Sequence, residues 1–89
     1  MKLNLYSIFD RKMGVYLSPF PSRGDVDATR NVVSGLSHPD VKNTPLGQHP
    51  EDFDLVKIGV FNDETGEIGR LGPEIVIGRV ADLASTVAS

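Results

Sequence analysis

Cysteine is absent from the 89 residues, so neither a disulfide nor a thiolate-bound metal can hold this chain together. Equally absent is any apolar run approaching the roughly 20 residues that cross a bilayer. Residues 1–20 scatter polar Asn4, Ser7, Asp10, Arg11 and Lys12 where a signal peptide would carry an apolar block. A cytoplasmic protein without a membrane segment is therefore expected. Signatures of catalysis are missing too. Serines 7, 18, 22, 34 and 37 have no nucleophile motif around them, and Gly14, Gly24 and Gly35 lie too far apart for a phosphate-cradling loop. The adjacent acid pairs Glu51/Asp52 and Asp63/Glu64 lack the apolar surroundings that raise a general acid's pKa. No enzyme activity and no cofactor are expected. His38, Asp40, His49, Glu51 and Asp52 are of metal-ligating type, but both histidines precede a proline and neither belongs to an i,i+4 pair, so no metal site is expected.

What is present is an ordinary apolar fraction of 39% with a formal charge of −3, and a mean hydropathy of −0.12. The charge is unevenly spread. Residues 1–49 hold six cations against four carboxylates, a net of +2, and residues 50–89 hold three against eight, a net of −5. The acidic half repels a phosphate backbone, so any nucleic-acid contact is expected from the first half. There, Tyr6, Tyr16 and Phe20 interleave with Lys2, Arg11, Lys12, Arg23 and Arg30, the mixture of stacking rings and cations that holds single strands without reading their sequence. Lys2, Tyr6, Arg11, Lys12, Tyr16, Arg23 and Arg30 are accordingly the candidate nucleic-acid-binding residues.

Hydrophobic periodicity supplies the fold class. Alternating patterns predict strands near residues 3–9, 13–17, 53–61, 67–71 and 74–81, with one helix over 25–36 carrying Val26, Val32, Val33 and Leu36 on one stripe. Pro50 suits the first position of a helical turn, with Glu51 and Asp52 at its positive end. The polar run 62–66, closed by Gly66, predicts a hairpin loop. Residues 18–24 and 37–48 read as loops, and 82–89 as a tail that is frayed or ends in a short helix. The expectation is one α+β domain over residues 1–81, a mostly antiparallel sheet of four to five strands in the order ββαβββ with one helix packed on one face. The third strand is apolar on both faces, and one helix covers only one of them. A homo-oligomer through Val56, Ile58 and Val60 is therefore expected.

Several of these residues also carry a resemblance. Tyr6-Ser7-Ile8, Asp10, Lys12, Pro19-Phe20, Ala28, Arg30, the run from His49 to Leu55 (HPEDFDL), Gly59, Phe61 and Thr65-Gly66 together resemble the small nonstructural protein of gokushoviruses, bacteriophages with circular single-stranded DNA genomes. The likeness runs to about residue 81 and is most specific in PEDFDL and its hairpin. Arg11, Gly24 and the long 38–48 loop depart from it. The resemblance implies a viral non-capsid protein in the host bacterial cytoplasm, assigned to genome replication and described as DNA-binding, with no catalytic residue to carry over. Two functions are consistent with all this. One is a DNA-binding replication accessory that engages single-stranded DNA weakly. The other is an interaction module for the viral initiator, a host replication factor or an assembly intermediate.

Overall fold

The computed structural model of the chain describes residues 1–88, with side chains through Thr86. Its elements are β1 (Lys2–Asp10), β2 (Val15–Tyr16), β3 (Phe20–Ser22), α1 (Asp25–Gly35), α2 (Pro45–Gln48), a 3-10 turn (Pro50–Asp52), β4 (Phe53–Asn62), β5 (Ile68–Arg79) and α3 (Val80–Ala88). All strand pairs are antiparallel, in the order β2-β1-β4-β5, with β3 paired to β1 alongside β2. The α+β class and the antiparallel sheet follow the sequence pattern.

The boundaries differ in four places. Phe20-Pro21-Ser22 forms a strand inside an expected loop; Pro21 lacks an N–H, which an outer strand can do without. The two strands expected at 67–71 and 74–81 are one, β5, interrupted opposite β4. Gly59 pairs with Arg70 and Lys57 with Ile75, so residues 71–74 stand opposite Ile58 alone and leave the sheet as a hump. Thr44 caps a short helix inside the 37–48 loop, its hydroxyl accepting from the Gly47 N–H. Finally, the chain turns helical at Val80, inside the expected fifth strand, and α3 makes a second helix on the same face. The residue ending the expected tail, Ser89, lies outside the described residues.

Turn chemistry explains the hairpins. Asp10 Oδ1 accepts the N–H groups of Lys12 (3.0 Å) and Met13 (3.1 Å), and Gly14 takes φ +69° to close the β1–β2 turn. Gly66 at φ +77° donates to the Asn62 carbonyl at 2.8 Å in the β4–β5 turn, as the sequence predicts.

One face of the sheet carries the core. Tyr6, Ile8, Phe53 and Leu55 pack there under Ala28 and Val32 of α1 and Val80 of α3, with Leu36, Leu46, Ile77 and Leu83 around them. The buried stripe of α1 is thus Ala28 and Val32, continued by the partly buried C-cap Leu36. Val26, expected on it, lies two residues before Ala28, about 200° around the helix, and is 65% exposed.

The other face has no helix, yet Ser7 and Val56 on it are only 1% exposed. The Ser7 hydroxyl donates to the Leu17 carbonyl at 2.7 Å, drawing the β2–β3 link across. Tyr16 lays its ring against Phe9, centroids 4.7 Å apart, and donates its hydroxyl to Glu74 on the hump. Strands β2 and β5 are separated by β1 and β4, so this bond arches over the face as a strap.

Candidate nucleic-acid interface

The sheet separates the seven candidate residues into four environments. At the far end of β1, Arg11 is held in place: its Nε lies 3.3 Å from Asp54 Oδ2, its guanidinium donates to the Glu51 carbonyl, and its backbone N–H donates to the Asp52 carbonyl at 3.0 Å. Lys12 Nζ stands 3.7 Å from Asp52. Both cations face the carboxylates of the PEDFD run, whose acidity the half-chain charge count assigned to a separate region. Strand pairing brings Phe53 opposite Asp10 and Asp54 opposite Phe9, and that register places the acids beside the turn.

At the near end, Arg23 and Arg30 have no ion-pair partner among the described residues. They line one open cleft of about 400 Å³ with Leu3, Pro21, Ser22, Asp27 and Asn31. The pairing of β3 with β1, Ser22 opposite Asn4, carries Arg23 to the start of β1, and α1 brings Arg30 over from above. Lys2, also without an ion pair among the described residues, lies in the adjoining groove with Val60, Asn62, Glu67 and Gly69. Lys2 and Asp10 are eight residues apart along β1, roughly 27 Å at 3.4 Å per residue, so the expected cation set is two clusters rather than one surface.

The tyrosines divide as well. Tyr6 is fully buried, its ring stacked on Phe20 at 5.9 Å, and offers no face to a base. This corrects its expected stacking role, because even-numbered β1 residues point under α1. Its hydroxyl donates to Asp25 Oδ1 at 2.6 Å and accepts from Asn4 Nδ2 at 3.3 Å. Burial first, then the hydrogen bond to Asp25, pushes the phenol up to about 12. Asp25 is held below the usual carboxylate range, chiefly by that hydroxyl and then by Lys57, whose Nζ is 3.2 Å away. This triad anchors the start of α1 to β4 and was invisible in the sequence. Tyr16, by contrast, is 44% exposed on the helix-free face. Its phenol is raised mainly by the bond to Glu74, with Arg70 close enough to oppose the rise.

The expected oligomer residues do not share a face. Val56 pairs with Ser7 on the helix-free side and Val60 with Asn4 on the helix side, because the register slips by one residue at Ile58. Val56 is moreover fully covered within its own chain, while Ile58 and Val60 are half-buried. Ligand atoms of His49, Glu51 and Asp52 gather within 4.8 Å of one another at the surface. His49 and Glu51 face each other at 3.4 Å and Asp52 faces Lys12, so those groups already have partners. His38 and Asp40 lie together elsewhere, at 3.7 Å. No helix among the described residues is long and apolar enough to cross a membrane.

Sheet, helices and surface define a small α+β protein with Lys2, Arg23 and Arg30 unpaired at one rim among the described residues. A family model described as "Phage ORF5 protein" matches residues 3–83, and the chain belongs to that family of phage proteins. Protein ORF5 of Chlamydia phage 1 is 40% identical over 68 residues, covering 74% of this chain and 70% of that protein. No solved structure matches the chain.

Proposed function

We propose that this phage protein is a non-enzymatic replication accessory of the host bacterial cytoplasm that holds single-stranded DNA at the Lys2–Arg23–Arg30 end during viral genome synthesis. The observation that carries the reading is the contrast in pairing: in a chain of net charge −3, the three cations around this cleft are left without carboxylate partners. Unpaired guanidinium groups bind phosphate bidentately and stack on bases. Leu3 and Pro21 give the cleft an apolar wall for a base edge. Asp27 in the same cleft limits the local surplus, so binding is weak and strongly salt-dependent.

The test is a titration of a labelled single-stranded deoxyoligonucleotide followed by anisotropy across a salt series. Three phosphate contacts give a log–log salt slope of about −2, at roughly −0.7 per contact. Arg23→Ala with Arg30→Ala should lessen the slope by about 1.4. Unchanged binding by that double variant removes single-stranded DNA from this cleft, and no binding by the parent at low salt leaves the interaction-module reading as the better account.

A further inference from the structure

The acidic half of the chain contributes two arginines of its own to the helix-free face of the sheet. Arg70 stands opposite Gly59 and lines a groove of about 190 Å³ with Ser7, Tyr16, Leu17, Pro19 and Ile58. Arg79 stands opposite Asp54, five β4 residues further along, roughly 17 Å away at 3.4 Å per residue. Neither has an ion-pair partner among the described residues, and Asp54 is engaged by Arg11. Tyr16, on the opposite edge strand, presents an exposed ring backed by Phe9, and its hydroxyl reaches β5 at Glu74, between the two arginines in sequence. Val76, on the same side of β5 as Val56, is 59% exposed and extends the apolar floor.

We infer that the helix-free face is a second contact site for single-stranded DNA, with one base stacked on Tyr16 and the flanking phosphates held by Arg70 and Arg79. An antiparallel sheet with helices on one side and an aromatic ring and cations on the other is suited to an unpaired strand. Stacking needs a flat accessible ring held at low entropic cost, and the strap supplies that pre-organisation. A duplex keeps its bases inside and offers nothing to Tyr16. The inference rests on the same ligand class as the proposed function and places it on a different surface. That surface draws its cations from the half of the chain that charge counting sets aside.

The 89 residues contain no tryptophan, so Tyr16→Trp installs one fluorophore on this face. Titration with a labelled single-stranded deoxyoligonucleotide at low salt should quench tryptophan emission in parallel with the rise in anisotropy. Arg70→Ala on that background should weaken binding several-fold and lessen the salt slope by about 0.7. In the otherwise unaltered chain, Tyr16→Leu should weaken binding about tenfold, in keeping with the loss of one stacked base. Tyr16→Phe, which keeps the ring but loses the bond to Glu74 that orients it, should fall between the parent and Tyr16→Leu. Quenching that survives Arg23→Ala with Arg30→Ala supports a separate site. Anisotropy that rises without quenching, together with parent-like binding by Tyr16→Leu and Arg70→Ala, overturns the inference and leaves the Lys2–Arg23–Arg30 reading standing. No anisotropy rise at all overturns both.

Discussion

Leu55 and Val56 are consecutive residues, 0% and 1% exposed, and they are buried by different means. Leu55 lies beneath helices, within a continuous apolar cluster that includes Val80 and Val32. Val56 lies beneath a strap made of the β2–β3 link, the Tyr16 ring and the hump of β5. A continuous cluster loses contacts on every side when one member is removed, whereas a strap of half-exposed groups settles into the gap. The two faces of one sheet should therefore differ in how firmly they are held, and the difference can be measured.

The largest effect should come from Leu55→Ala. Loss of a central side chain beneath two helices should cost about 3 kcal/mol, within the usual 2–5 for such truncations. Val56→Ala should cost less, about 1–2 kcal/mol, since fewer methyls are lost and the strap relaxes. Urea midpoints of the two variants provide the comparison, and equal shifts would show that the strap is as rigid as the helix layer.

Next in size are the two tyrosines that donate to carboxylates. Tyr6→Phe removes a part-buried bond to the half-exposed Asp25 and should cost about 1 kcal/mol, the charge-assisted value discounted for solvent screening. Tyr16→Phe removes an exposed bond and should shift the urea midpoint distinctly less. The same pair gives a pH test. The Tyr6 phenol is raised in the fold from about 10 to about 12, so its contribution is complete below pH 10 and is lost as pH rises from about 10 to about 12. Tyr6→Phe should remove that alkaline loss. Asp25 is lowered, so its contribution is present above about pH 4 and declines as the pH falls further. Stability measured by urea titration at each pH reports both limbs.

The smallest effect concerns the β1–β2 turn. Arg11→Ala with Lys12→Ala removes two surface ion pairs at the edge of the helix-free face and should cost below about 1 kcal/mol. Both side chains are engaged by the chain's own carboxylates, so the variant should keep the parent's salt slope for single-stranded DNA. A slope lowered by a full contact or more would return these two cations to the binding surface.

Periodicity carried the α+β class, α1, the hairpin at 62–66 and the turn at Pro50, because each is set by residues close in sequence. It did not carry what depends on register. The slip at Ile58 reverses which side Val60 faces, and nothing in a window of alternating apolar residues marks it. The start of α3 at Val80 was hidden because Ile75, Val76, Ile77 and Val80 suit a strand and a helix end equally. Among the candidate site residues, Arg23 and Arg30 meet at one cleft, as a basic first half suggests. Arg11 and Lys12 do not join them, because their acidic partners are some 40 residues away along the chain and adjacent only after β4 pairs with β1. Arg70 and Arg79 carried no local signal; pairing and alternation alone bring them to one face. The case for a second copy rested on both sides of β4 needing cover, and at Val56 the chain supplies that cover itself.

The hump at residues 71–74 has a consequence for the chain in a crowded cell. Strand β5 is the sheet's outer strand along twelve residues, with Ile68 and Val76 well exposed. A flat edge of that length invites strand after strand from other copies and ends in fibrous aggregate. Departure of the backbone at the hump, with Pro73 contributing no N–H, divides the edge into a stretch of three paired residues and another of four that is itself interrupted at Ile77. Neither is long enough to template a growing stack. The same four residues that send Glu74 across to Tyr16 thus break the one long open edge of the sheet at which further copies could add strands.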